Sequence, residues 1–349
     1  MTTHLTRPKH LTRRSVMVGA GAGFLAAPYV ARGQAALTKV RLTTGFALQG
    51  THSYMLRAQK LGYARELGAD LVVSRGFGSG RVPVDIAGGV FDMAYNDMST
   101  SLRFMAENPG ADLLVVAILQ DTNQIAITVR ADGPLTTFKD LEGATIAAPD
   151  FDIGRQLFPA FASVAGLDKS KVKWLSVALE LREPMLVQKR ADGISGQASS
   201  MAQSLKRLGL DLPQQRLFLY RDGGFDAYSE CFVVSRKFAE RNPQAVKATL
   251  AALFRAYVEY YHDPKESLQV LREVEPLTDV PIEAERIAFQ RKMMPLGEMM
   301  KKQGLSTVDL SRLDSSIRMI EEAFGTPHRL KHADVYTDAY LPPASARMV

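Results

Sequence analysis

From Val40 to Leu119, short β-branched runs alternate with helical patterns, and the series closes on a nearly unbroken apolar run, Leu113 to Leu119. A strand buried on both faces reads this way, because helices cover its sheet from above and below. This alternation confines the chain to layered α/β folds. Strands are expected at 40–44, 71–74, 91–94 and 113–119, with helices at 53–67, 82–88 and 97–107. The theme returns over 134–222, with strands at 144–148, 172–175, 191–195 and 217–220 around helices at 154–165, 181–189 and 199–208. Two such series predict two α/β lobes with parallel sheets, the chain crossing between them near Arg130 and near Phe225. Lobe 1 is then 36–130 together with 226–349, and lobe 2 is 131–225. From Lys237 onward the pattern is helical, opened by Asn242-Pro243 as cap and first turn.

The first 35 residues stand apart. Arg13-Arg14 precede a short apolar run, Val16 to Val30, diluted by Gly19, Gly21 and Gly23, and small residues follow at Gly33 and Ala35. That order predicts a twin-arginine export signal cleaved after Ala35 and a periplasmic mature protein. The glycines make the run too short and too weakly apolar for a stable anchor.

Lys and Arg total 43 against 37 Asp and Glu, but Arg7, Lys9, Arg13, Arg14 and Arg32 all fall in the first 35 residues, which hold no acid. The remainder is nearly balanced, which removes an electrostatic footprint for nucleic acid. The single cysteine, Cys231, lies in an apolar strand-like run and is expected as a buried thiol.

Catalytic constellations are missing from the sequence. No nucleophile elbow, phosphate-cradling Gly-Lys-Ser/Thr loop or paired-cysteine motif occurs, and His328 with His332 lacks a partner for a metal. Neither a metal nor a cofactor is expected. Gly76-Phe77-Gly78-Ser79-Gly80 follows a strand and opens a helix, yet Pro83 stands where a dinucleotide fingerprint needs its third glycine. The plainer expectation is a turn whose backbone N–H groups face a small ligand.

Ligands of open α/β sheets bind beyond the carboxyl ends of the strands. After the first strand come Phe46, Gln49, Thr51 and His52; the glycine loop adds Phe77, Gly78 and Ser79. Tyr95, Asn96 and Asp97 follow the third strand. In the second series the candidates are Asp150, Phe151, Asp152 and Arg155, then Ser195, Gly196 and Gln197, with Tyr228 near the return crossing. Two facing lobes would gather these groups across one cleft.

Several segments also resemble a known family. They are Ala58-Gln59-Lys60-Leu61-Gly62-Tyr63, Gly78-Ser79-Gly80, Ile86-Ala87-Gly88-Gly89-Val90-Phe91-Asp92-Met93-Ala94, Phe138 to Ala147, Phe232 to Phe238, and Asn242-Pro243 before a long helix. In this order and spacing the chain resembles periplasmic solute-binding proteins of ABC importers, the group handling alkanesulfonates, nitrate and thiamine-pyrimidine precursors. The resemblance implies a two-lobed periplasmic-binding-protein fold of type II. Its ligand cleft lies between lobes, two crossing strands act as hinge, and the partner is a membrane permease. It further implies a monomer that binds without turnover.

Acids dominate the expected cleft mouth: Asp97, Asp121, Asp150, Asp152, Asp222 and Asp226 outnumber Arg81, Arg155 and Arg221. With Phe46, Phe77, Tyr95, Phe151 and Tyr228 available for stacking, this favours a nitrogen heterocycle over a bare anion. Arg155 at a helix start speaks for the alternative, a sulfonate- or nitrate-type anion. Two further readings share the fold: a pyrimidine-synthesising enzyme, which the lone Cys231 and the export signal disfavour, and a ligand-sensing receptor.

Overall fold

The computed structural model describes residues 37–326 and 330–349. The segment expected as an export signal, with its expected cleavage after Ala35, and His328 lie outside the described residues.

Two five-stranded sheets carry the fold. The first has the order β2-β1-β3-β10-β4, built from β1 (Thr38–Thr43), β2 (Ala69–Ser74), β3 (Met93–Asp97), β4 (Leu114–Ile118) and β10 (Glu230–Val234). The second has the order β7-β6-β8-β5-β9, from β5 (Ile125–Arg130), β6 (Thr145–Ala148), β7 (Lys173–Ser176), β8 (Gly193–Gln197) and β9 (Gln215–Leu219). β1 runs parallel to β2 and β3, and β6 parallel to β7 and β8.

Wholly parallel sheets, the expectation from sequence, are not what forms. β10 is antiparallel to β3 and β4, and β5 is antiparallel to β8 and β9. Each of these strands arrives from the other sheet, so it enters at the end where its neighbours leave. The first passage between sheets spans 119–124, ahead of the expected join near Arg130, because 125–130 already pairs in the second sheet. The return passage spans 220–229 and includes Phe225. The two passages are hydrogen-bonded to each other: Asn123 Nδ2 donates to Phe225 O at 2.9 Å and Ser229 N to Gln120 O at 3.0 Å.

Helices α1 (Ser53–Lys60), α2 (Val82–Ala87) and α3 (Met98–Glu107) accompany the first sheet, and α4 (Ile153–Val164), α5 (Arg182–Val187) and α6 (Ala198–Arg207) the second. α1 ends seven residues before the expected Leu67, since Gly62 takes a φ of +70° that stops the helix. The later chain forms α7 (Arg236–Arg241), α8 (Pro243–His262), α9 (Lys265–Val274), α10 (Val280–Met293), α11 (Glu298–Gln303), α12 (Leu310–Phe324) and α13 (His332–Val335). α8 packs on β1, β2 and α1, as apolar positions Ala245, Leu250, Leu253 and Tyr257 require. α10 packs on α6 of the second lobe, and its Phe289 and Met293 join the core around Leu186 and Met201. α12 lies against α3 and α4. These helices therefore touch both lobes and not lobe 1 alone.

Burial drives the arrangement. Val40, Leu42, Tyr54 and Leu253 are enclosed on one side of the first sheet, and Ile127, Phe158, Phe161 and Tyr220 in the second lobe. Each such side chain contributes about 1.5–3 kcal/mol of transfer free energy. Cys231 is buried, as its apolar neighbours imply. Among the described residues no helix is long and apolar enough to cross a membrane.

Candidate functional site

The cleft opens where the carboxyl ends of β1, β3 and β8 meet the amino ends of β5 and β10. It encloses about 530 Å³, mouth included. From the first lobe come Gly45, Phe46, Gln49, Thr51, His52, Ser79, Tyr95 and Glu230. The second lobe supplies Gln124, Asp152, Ile153, Arg182, Gln197, Ser199 and Ser200, and α10 adds Gln290.

One ion-paired group governs the second-lobe wall. Arg182, 1% exposed, donates from both Nε and Nη2 to Glu183 Oε1, at 3.2 and 2.6 Å. Its Nη1 reaches Ser195 O at 3.1 Å and Asp152 Oδ2 at 3.4 Å, and its guanidinium lies 5.4 Å from the Phe46 ring centroid. Asp152 is committed as well: it caps α4 by accepting from Arg155 N at 3.1 Å and accepts the Ser195 hydroxyl. Burial raises the Asp152 pKa, and Arg182 opposes that shift. The positive charge of Arg182 is thus already balanced by two carboxylates.

Glu230 has a different environment. It is buried, and its Oε1 accepts from Gln197 Nε2 at 2.9 Å, a bond from the second sheet to the first. Burial, with the nearby Asp97, pushes its pKa up to about 8. Asp97 sits directly opposite Glu230 in the β3–β10 register, and burial pushes it to about 7. Gln197 Oε1 and His52 Nδ1 have no hydrogen-bond partner, although both residues line the cavity. Burial lowers His52 to about 4, so the ring is neutral near neutral pH and packs edge-on against Tyr95 at 5.6 Å.

Other bonds close the lobes on each other. Gln49 Nε2 donates to Ser200 Oγ at 3.0 Å. Glu283 of α10 accepts from Gly50 N at 2.6 Å and takes two bonds from Arg286, which in turn donates to Ser199 O and Ser200 O at 2.9 and 2.6 Å. At the opposite lip Gly80 N donates to Phe151 O at 3.2 Å and Arg103 Nη1 to Gln156 O at 2.9 Å.

Of the residues expected at the site, Phe46, Gln49, Thr51, His52, Ser79 and Asp152 line the cavity, as do Tyr95 and Gln197. Ser195 and Gly196 stand one layer behind: Ser195 binds Asp152, and a Cβ at Gly196 would stand 2.5 Å from Arg182 Nη1. The rest are engaged elsewhere. Asn96 bonds Thr100 and Ser101, and Asp97 caps α3 through Thr100 N at 2.9 Å. Phe77 is 64% exposed, with Arg75 over its ring. Asp150 pairs with Arg155 at 2.8 Å, and Arg155 also bonds Ser176 and lies over Trp174. Phe151 is exposed beneath Arg81, and Tyr228 packs under Arg312 and bonds Asp309.

The three glycine amides of the loop are not offered to the cavity, although Ser79 between two of them lines it. Gly76 N, Gly78 N and Gly80 N donate to Phe46 O, Gly45 O and Phe151 O. Its glycines serve close approach instead: a Cβ at Gly76 would lie 1.7 Å from Thr44 O, and one at Gly78 2.5 Å from Phe151 O.

Sequence reasoning missed Gly45, Gln124, Ile153, Arg182, Ser199, Ser200, Glu230 and Gln290. Gln124 precedes β5 and Glu230 opens β10, and a search of strand ends would have reached them only if those strands were known to run backwards. Arg182 carried a weak signal, as a charged residue at the start of a helix in a cleft-facing loop. Gln290 carried none. Among the described residues no cluster of His, Cys, Asp and Glu could hold a metal ion.

A family model described as NMT1/THI5 like matches residues 49–267. No curated protein matches the sequence. Solved structures with the same fold include a protein of Bordetella bronchiseptica RB50, at 17% identity and TM-score 0.69 over 87% of this chain and 95% of that one. The alkanesulfonate-binding protein SsuA from Xanthomonas axonopodis pv. citri, bound to MOPS, superposes with TM-score 0.65 at 18% identity, covering 86% and 98%. A Candida albicans gene product, described as exhibiting the generic periplasmic binding protein fold, gives 0.62 at 12% identity, covering 90% and 96%.

Proposed function

The chain belongs to the NMT1/THI5-like family, and we propose that it is the periplasmic solute-binding component of an ABC importer. In this reading it captures one small organic molecule between its lobes and delivers it to a membrane permease, without turnover and as a monomer. The Arg13-Arg14 segment supports export by the twin-arginine route. The fold shared with an alkanesulfonate-binding protein supports a capture role.

The ligand is a nitrogen heterocycle of the pyrimidine-precursor kind, bearing N–H donors. The observation carrying this choice is Glu230, a buried carboxyl that faces the cavity and whose hydrogen-bond partner is Gln197. Unpartnered acceptors at Gln197 Oε1 and His52 Nδ1 suit the same ligand. A sulfonate or nitrate needs uncommitted donors. Arg182 is already bound by Asp152 and Glu183, and Arg155 by Asp150 outside the cavity.

A thermal-shift screen of the protein lacking residues 1–35 tests this reading. A ligand at 100 times its Kd stabilises a fold by about 2.7 kcal/mol, which is readily seen. Shifts with pyrimidines or amines support it; shifts confined to sulfonates and nitrate would overturn the ligand class while keeping the capture role.

A further inference from the structure

Two carboxyls lie side by side at the cavity wall, Glu230 lining it and Asp97 behind. Glu230 and Asp97 are directly opposed on adjacent antiparallel strands, and both are buried. Their bonds are to neutral groups: Gln197 Nε2 on Glu230, and Thr100 N on Asp97. The groups around Glu230 are likewise neutral or acidic: Tyr95 from β3, Tyr54 from α1, Tyr257 from α8 and the adjoining Cys231. Across the cavity stand Arg182, its single charge taken up by the two carboxyls of Asp152 and Glu183, and the neutral His52. Among the described residues neither Glu230 nor Asp97 has an ion-pair partner. A buried carboxylate without a counter-ion is costly, and the group takes up a proton instead.

We propose that the ligand is cationic, a protonated amine or amidinium that serves as the missing counter-ion of the Glu230–Asp97 pair, and that its entry expels one proton from that pair to solvent. Glu230 presents the carboxylate edge to the ligand, while Gln197 Oε1 and His52 Nδ1, both unpartnered, take further N–H groups. Phe46, held under Arg182, supplies an apolar wall. This deepens the importer reading and rests on it. Charge selection then comes from desolvation: a neutral isostere leaves the carboxyl protonated and gains one hydrogen bond in place of an ion pair.

The test uses matched probes of one shape, benzamidine and benzamide, together with aminopyrimidines, sulfonates and nitrate. Calorimetry and thermal shift are read from about pH 6 to about pH 9, a range over which the amidinium stays charged. Benzamidine is expected to bind at least tenfold more tightly than benzamide, its affinity rising roughly tenfold per pH unit below the Glu230 pKa with matching proton release. Glu230→Gln, isosteric and able to keep its contact with Gln197, should abolish both the preference and the slope while the circular-dichroism spectrum stays unchanged. Binding of neutral or anionic probes without a cation preference would overturn this proposal and leave the capture role standing. No binding by any probe would count against both.

Discussion

Gln197 and Glu230, the last residue of a second-sheet strand and the first of a first-sheet strand, meet at 2.9 Å across the cleft. The contact joins the lobes at the point where a buried carboxyl faces the cavity, so closure of the cleft and the protonation of Glu230 act on one another.

The pH dependence of stability follows from that placement. Glu230 has its pKa raised to about 8 and Asp97 to about 7, above their unfolded values of 4.5 and 3.8. Each therefore contributes stability that is full below its unfolded value and is lost as pH rises through its folded value. His52, lowered from 6.5 to about 4, works oppositely: its contribution is present above 6.5 and fades as pH falls toward 4. The two trends compete below 6.5, and only the carboxyls act above it. The ligand-free protein should lose Tm between about pH 6.5 and about pH 8, and Glu230→Gln should flatten that slope. A Tm that rises over the same interval would contradict the assignment.

Arg182→Met should cost about 3–5 kcal/mol, because it strips the buried Asp152 and Glu183 of their cation. Urea unfolding followed by tryptophan fluorescence from Trp174 measures it. A loss below about 1 kcal/mol would show that these carboxyls are not held by Arg182.

Gly78 and Gly68 both have positive φ, +123° and +95°, so alanine strains the backbone at either. Only at Gly78 does the added carbon meet the other lobe, 2.5 Å from Phe151 O; around Gly68 nothing lies within 4 Å. Both variants should lose about 1 kcal/mol of stability. Gly78→Ala alone should weaken ligand binding, by tenfold or more on a roughly 1.4 kcal/mol penalty to closure. Equal affinities for the two variants would remove the Gly78–Phe151 contact from the closed state.

Arg286 does not line the cavity, yet it holds Glu283, Ser199 and Ser200 together while Glu283 holds Gly50. Arg286→Lys keeps the charge and loses the forked geometry. Faster ligand dissociation, by roughly tenfold, is the expected result in stopped-flow displacement; an unchanged rate would mean the α10 contacts do not hold the lobes closed.

How much of this was legible in the sequence depends on what each residue obeys. Phe46, Gln49, Thr51, His52 and Asp152 follow strands that run with the majority of their sheet, so the strand-end rule finds them. Glu230 and Gln124 sit at the start of strands that run against it, a fact set by long-range pairing and not by local pattern. β5 was hidden for a related reason: the polar break Asp121-Thr122-Asn123-Gln124 between two apolar runs looks like an ordinary connection, and nothing in it says that the chain is changing sheets. Asp97 and Asp152 show the limit of residue type. Both cap helices and are buried, so residue type alone does not tell that Asp152 lines the cavity while Asp97 stands behind Glu230.

The paired passages carry one more consequence. β4 and β10, from which the chain leaves and to which it returns, are neighbours in the first sheet, and β5 and β9 are neighbours in the second. Two tethers fixed side by side at both ends resist sliding and twisting, and leave the halves free to swing about a single line, as a door does on two pins. Glu230 and Gln124, next to the pins, travel least during such a swing, whereas Gly78 and Phe151 at the far lip travel furthest. In the proposed capture the Glu230 carboxyl is therefore in place before the door shuts, and the lip at Gly78 and Phe151 closes last.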